Sequence, residues 1–157
     1  MKKFPWKTYL LWILLTEAVG LSGWLTREGV TLYRETIVQP PLSPPSLVFP
    51  VVWGILFALL GISGARIYLA PASSARSQGF LLFLSQLAFN FCWSLFFFNA
   101  QWFGFAFLWL LMLWGLILWM IYSFRQADPL AAWLQVPYLL WVTFAAYLNF
   151  GVWVLNR

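Results

Sequence analysis

The chain contains no histidine and a single cysteine, Cys92. Without imidazole, the usual general base, the commonest metal ligand and the usual haem axial ligand are all missing. One thiol can neither close an internal disulfide nor build a thiolate-rich metal site. Charge is scarce as well. Nine basic and four acidic side chains amount to 8% of the residues, whereas a globular domain carries about a quarter. So few charges cannot cover a water-facing surface. The basic residues are scattered at segment ends rather than clustered, which argues against nucleic acid as a partner. No soluble domain, internal repeat or low-complexity tail is visible.

What the chain has in abundance is apolar and aromatic surface: 63% hydrophobic residues, twelve of them tryptophan, and a mean hydropathy of +0.82. Crossing a hydrocarbon core of about 30 Å takes roughly 20 helical residues. Five stretches qualify, at about 8–26, 47–70, 79–98, 102–124 and 131–153. The expected fold is therefore an all-α membrane protein, a single domain over residues 1–157 built as a bundle of five transmembrane helices. The first stretch also reads as a signal peptide, because Lys2, Lys3 and Lys7 precede it. Glu17 within the apolar run and the poor cleavage site at Gly20 favour a span.

Only the connection 27–46 is long, and Pro40, Pro41, Pro44 and Pro45 crowd its second half. It is expected to be extended and semi-rigid rather than helical, a lid over the bundle. Counting basic residues sets orientation. Lys2, Lys3, Lys7, Arg66, Arg76 and Arg125 fall on one side, and Arg27, Arg34 and Arg157 on the other. The excess predicts a cytoplasmic N-terminus in a bacterial inner membrane, with the long loop outside.

At about 100° per residue, Gly54, Ala58, Gly61 and Ala65 form one stripe of the second span. Small residues in that register let helices approach closely in lipid. Phe49, Trp53 and Phe57 run beside the stripe. In the third span Gln86, Asn90, Trp93, Ser94 and Phe97 share a face. Amides are costly to expose to lipid, so this face should turn inward, either to bond other helices or to line a ligand site. Pro137, Trp141, Phe144, Ala145 and Leu148 share a face of the fifth span, as Trp102 and Trp109 do in the fourth. Interfacial belts account for Trp6, Trp24, Trp133 and Trp153. They do not account for Trp93, Trp109 or Trp141, which lie well inside their spans. Trp53, Trp93 and Trp141 all sit at mid-depth or nearer the long loop. Together they describe an aromatic pocket under a proline-stiffened lid, the usual lining of a small-molecule site.

Three ordered motifs carry a resemblance. The first is Gln39-Pro40-Pro41-Leu42-Ser43-Pro44-Pro45 with Val48-Phe49-Pro50-Val51-Val52-Trp53-Gly54. The second is Asn90-Phe91-Cys92-Trp93-Ser94 with Phe96-Phe97, and the third runs from Pro137-Tyr138-Leu139-Leu140-Trp141 to Asn149. Together they resemble the tryptophan-rich sensory protein, or TspO/MBR, family, which includes the mitochondrial translocator protein. The resemblance implies a five-helix bundle, commonly a homodimer, that binds porphyrins and benzodiazepine-like ligands between its helices. It carries pocket roles onto Trp53, Phe57, Asn90, Trp93, Trp141, Ala145 and Leu148. Some bacterial relatives promote light- and oxygen-dependent breakdown of protoporphyrin IX, which implicates Trp53 and Trp141. The chain departs from the family with Leu32-Tyr33 where Trp-Tyr is common, and with a fourth span lacking an acidic residue. Phe150 stands where animal members need a tyrosine for their cholesterol motif, so cholesterol binding is not supported.

Three functions follow. The first is a sensor or carrier of porphyrin, held as a ligand rather than a cofactor by Phe49, Trp53, Phe57, Asn90, Trp93, Ser94, Trp141, Ala145 and Leu148. Arg27 and Arg34 would then pair with its propionates. The second is photochemistry, in which the bound porphyrin absorbs light and Trp53 or Trp141 is oxidised; no residues for hydrolysis or group transfer share these faces. The third is a proton-coupled transporter, which rests on Glu17 alone. A charged carboxylate there costs about 2.5–3.5 kcal/mol on insertion scales.

Overall fold

Hydrocarbon offers a backbone no water to bond, so each apolar stretch must satisfy its own N–H and C=O groups as a helix. The computed structural model, which describes residues 2–157, follows that rule. Its elements are α1 (Trp6–Leu21), a 3-10 turn (Ser22–Thr26), α2 (Arg27–Thr36), α3 (Val48–Leu69) and α4 (Ser74–Ser94), which ends in a π-helical turn (Leu95–Asn99). Then come α5 (Phe103–Ala127), the one-turn α6 (Pro129–Trp133) and α7 (Val136–Leu155). Among the described residues there is no strand. Five helical segments are long and apolar enough to cross a membrane: those built on α1, α3, α4 and α5, and the α6–α7 pair.

The long connection corrects an expectation. Residues 27–36 form a helix, and only the stretch from Ile37 onward is extended. Proline restricts its own φ and its immediate predecessor, so Pro40 has no hold on a segment that ends at Thr36. Packing then decides. Gly29 lies against the Phe98 carbonyl and Asn99, and Tyr33 packs its ring on Phe97 and Phe98 at 5.4 and 5.5 Å. The proline stretch is held against α7 instead. Tyr147 Oη donates to the Pro41 carbonyl (2.7 Å), Pro40 covers Gly151, and Asn156 exchanges two hydrogen bonds with the Val38 backbone. Leu42 turns this strap in the left-handed region, at φ 69°.

Around the bundle the helices run α1, α3, α7, α5, α4. Against α1, the backbone of α3 approaches at Gly61, beside Ile13 and Thr16, and at Gly64, beside Trp12. Thr16 Oγ1 donates to the Phe57 carbonyl at 2.6 Å. The small-residue stripe therefore works in its C-terminal half, while Gly54 looks onto open space. Between α4 and α5, Phe83 stacks on Phe124 and Trp109 Nε1 donates to the Phe89 carbonyl. From α7, Asn149 Nδ2 donates to the Phe103 carbonyl of α5. Trp12 of α1 meets Phe80 and Phe83 of α4 and closes the ring.

Two helix ends carry polar fittings. Arg76 donates to the Ile67 and Tyr68 carbonyls and so satisfies the last turn of α3. Asp128 caps α6, accepting from Leu130 N and Ala131 N.

Candidate ligand site between the second and fifth spans

Phe49, Trp53 and Phe57 follow one another at four-residue spacing along α3, so they stand on one face. Tyr138, Trp141 and Phe144 recur at three-residue spacing along α7 and turn toward that face. The two faces meet ring to ring. Trp53 lies edge-on to Trp141 at 6.4 Å and to Tyr138 at 6.2 Å, with Phe57 5.6 Å below it. Phe49 meets Trp141 at 5.9 Å, and Phe144 continues the column at 5.6 Å. Such edge-to-face pairs suit the ring quadrupole. The seam is thus filled by its own side chains. The open space beside it is a groove of about 410 Å³ on the outer surface, lined by Val52, Ile55, Leu56, Pro137, Leu140, Trp141 and Phe144.

One polar atom in the seam is orphaned. Trp141 Nε1 is buried and has no acceptor among the described residues. A buried donor left unpaired costs about 1–3 kcal/mol, and such atoms in a native fold call for an explanation.

The other expected residues divide differently. Asn90 and Trp93 are buried, but their donors are committed to other helices. Asn90 Nδ2 donates to Tyr138 Oη at 2.8 Å, and Trp93 Nε1 donates to Asn149 Oδ1 at 3.0 Å. Tyr138 Oη in turn donates to Gln86 Oε1 at 2.7 Å. Ala145 and Leu148 are buried on α7 one and two turns beyond Trp141. Ser94 is half-buried where α4 passes into its π turn. Arg27 and Arg34 are exposed on α2, and the Arg27 guanidinium lies over the Trp24 ring at 3.8 Å. Glu17 is half-buried on α1, and no basic side chain pairs with it among the described residues.

The sequence reading missed Tyr138, which joins the ring seam to the buried amides. A signal existed. Tyr138 precedes Trp141 by three residues and Ala145 by seven, so it shares their face, and a phenol inside a membrane span needs a partner.

This frame can be set beside known proteins. The TspO/MBR family pattern matches residues 9–154. The chain belongs to the TspO/MBR family. It is 36% identical over 151 residues to the tryptophan-rich protein TspO of Chlorobaculum tepidum, covering 95% of this chain and 96% of that one. The translocator protein of Ovis aries is 32% identical over 157 residues, covering 98% and 92%. The tryptophan-rich sensory protein of Cereibacter sphaeroides is 29% identical over 151 residues, covering 96% and 92%. With its five apolar helices, this TspO/MBR protein is an integral, multi-pass membrane protein.

Proposed function

We propose that this TspO/MBR protein binds porphyrins such as protoporphyrin IX, and related flat hydrophobic ligands, between α3 and α7, acting as a membrane sensor or carrier. The observation that carries this reading is the ring seam with its orphaned Trp141 N–H. Indoles and phenyl rings offer stacking area to a macrocycle, and the spare donor offers an edge contact to a carboxylate. The words "sensory" and "translocator" in the names of its relatives point the same way. Arg27 and Arg34, exposed on α2, are the cations proposed for the propionates. A homodimer in a bacterial inner membrane, with a cytoplasmic N-terminus, completes the proposal.

The test is titration of the purified protein with protoporphyrin IX in the dark, followed by tryptophan fluorescence. Quenching should saturate with a Kd in the micromolar range or below, on the order of −8 kcal/mol. Unsaturable, detergent-like partitioning would refute the proposal.

A second reading, light-driven porphyrin loss, rests on the contact between Trp53 and Trp141 at 6.4 Å, which sets two oxidisable indoles side by side. Illuminating the same sample under oxygen and following the porphyrin spectrum separates binding from turnover. The transporter reading gains nothing from the fold, since a lone carboxylate at Glu17 makes a poor proton relay.

A further inference from the structure

Mid-way along α7, Tyr138, Thr143 and Asn149 are hydrogen-bonded to α4 and α5. Toward α3 and the strap, hydrogen bonds among the described residues hold the α6–α7 segment only at its two ends, with apolar and ring contacts alone against α3 in between. At the end shared with the N-terminus, Asp128 pairs with Arg66 at 2.9 Å and Ser63 Oγ donates to the Ala131 carbonyl at 3.0 Å. Gln135 bonds Ser63 and Leu59 there as well. At the other end the strap is bonded through Tyr147 and Asn156. Between these pins, from Trp141 outward, no hydrogen bond joins α3 to α7 among the described residues.

In lipid such a ring contact is the weakest line of the bundle. Acyl chains are as apolar as the rings they would replace, so separating the rings forfeits packing but breaks no hydrogen bond. Trp141 is the partition. One side of its ring lines the groove open to the bilayer, and the other meets Phe49 and Trp53. Its unpaired N–H points to the occupant: a flat apolar ring system with an acceptor, a carboxylate or carbonyl, at its edge.

We propose that α3 and α7 form a lateral gate, through which such a ligand passes from the bilayer into the ring seam, with Trp141 as the gate and its N–H as the first polar contact. The inference rests on the binding reading above. It places the route in the membrane plane rather than beneath the 37–47 strap.

Two sets of variants separate the routes, with protoporphyrin IX delivered from preloaded vesicles and followed by its own absorbance. Leu140→Trp and Ile55→Phe enlarge exposed groove walls without entering the seam. They should slow association and dissociation together by about tenfold, leaving Kd within roughly twofold. Asn156→Ala combined with Tyr147→Phe unties the strap and should leave both rates unchanged. Faster association in the untied protein, or groove variants with wild-type rates, would overturn the gate. If wild-type protein fails to bind saturably at equilibrium, the binding reading itself fails and the gate falls with it. Saturable binding with insensitive rates removes the gate alone.

Discussion

Tyr138 and Trp141 stand one turn apart on α7, and their polar atoms differ in one respect that matters. Tyr138 Oη accepts from Asn90 and donates to Gln86, whereas Trp141 Nε1 has no partner. Substitution should therefore act on different observables. Tyr138→Phe strands two buried amide groups and should lower stability by about 1–3 kcal/mol, read as a fall in Tm in detergent. Trp141→Phe gives up no hydrogen bond of the protein, so Tm should move far less. Porphyrin affinity should fall by a few-fold, because most ring area survives. Light-driven porphyrin loss, where wild type shows it, should drop much further, since phenylalanine is harder to oxidise. Trp133→Phe, at a ring 71% exposed, should change none of these. Equal effects at Trp133 and Trp141 would move the site elsewhere.

Among the elements, the small-residue stripe of α3 offers an internal control. A Cβ at Gly61 would lie 2.5 Å from the Ile13 Cα, whereas at Gly54 nothing stands within 4 Å. Backbone cannot rotate away as a side chain can, so Gly61→Ala must push α1 off α3. The expected cost is about 1–3 kcal/mol of overpacking, partly offset by about 1 kcal/mol of helix propensity. Gly54→Ala should be neutral or slightly stabilising. Thermal unfolding of the two variants side by side checks this, and equal losses would mean that the α1–α3 contact is not as close as described. The stripe was legible in the sequence because its spacing is helical. Which half of it meets a neighbour was not, because spacing carries no information about what lies opposite.

For the whole molecule, the even number of crossings between them puts the N-terminus, the α3–α4 connection and the α5–α6 connection on one side of the membrane. Six of nine basic residues fall there, so the positive-inside rule predicts that this side is cytoplasmic. With Cys92 replaced by alanine, a cysteine at Ser73 should resist a membrane-impermeant maleimide added to intact cells. A cysteine at Thr36, exposed at the end of α2, should react. The reverse pattern would invert the topology and place the strap inside the cell.

The number of spans and the family motifs were readable from the residues alone. Lipid demands a fixed length and composition of every crossing segment, and both are local properties. The faces bearing Phe49, Trp53 and Trp141 were readable too, because helical periodicity sets direction around an axis. Only the tertiary structure decided that Asn90 and Trp93 spend their donors on Tyr138 and Asn149, residues 48 and 56 positions away. It also decided that 27–36 is a helix, since contacts with the end of α4 favour one where distant prolines had suggested extension. The unpaired Trp141 N–H belongs to the same class. Whether a donor finds an acceptor depends on distances between elements remote in sequence, and no pattern along a single helix contains them.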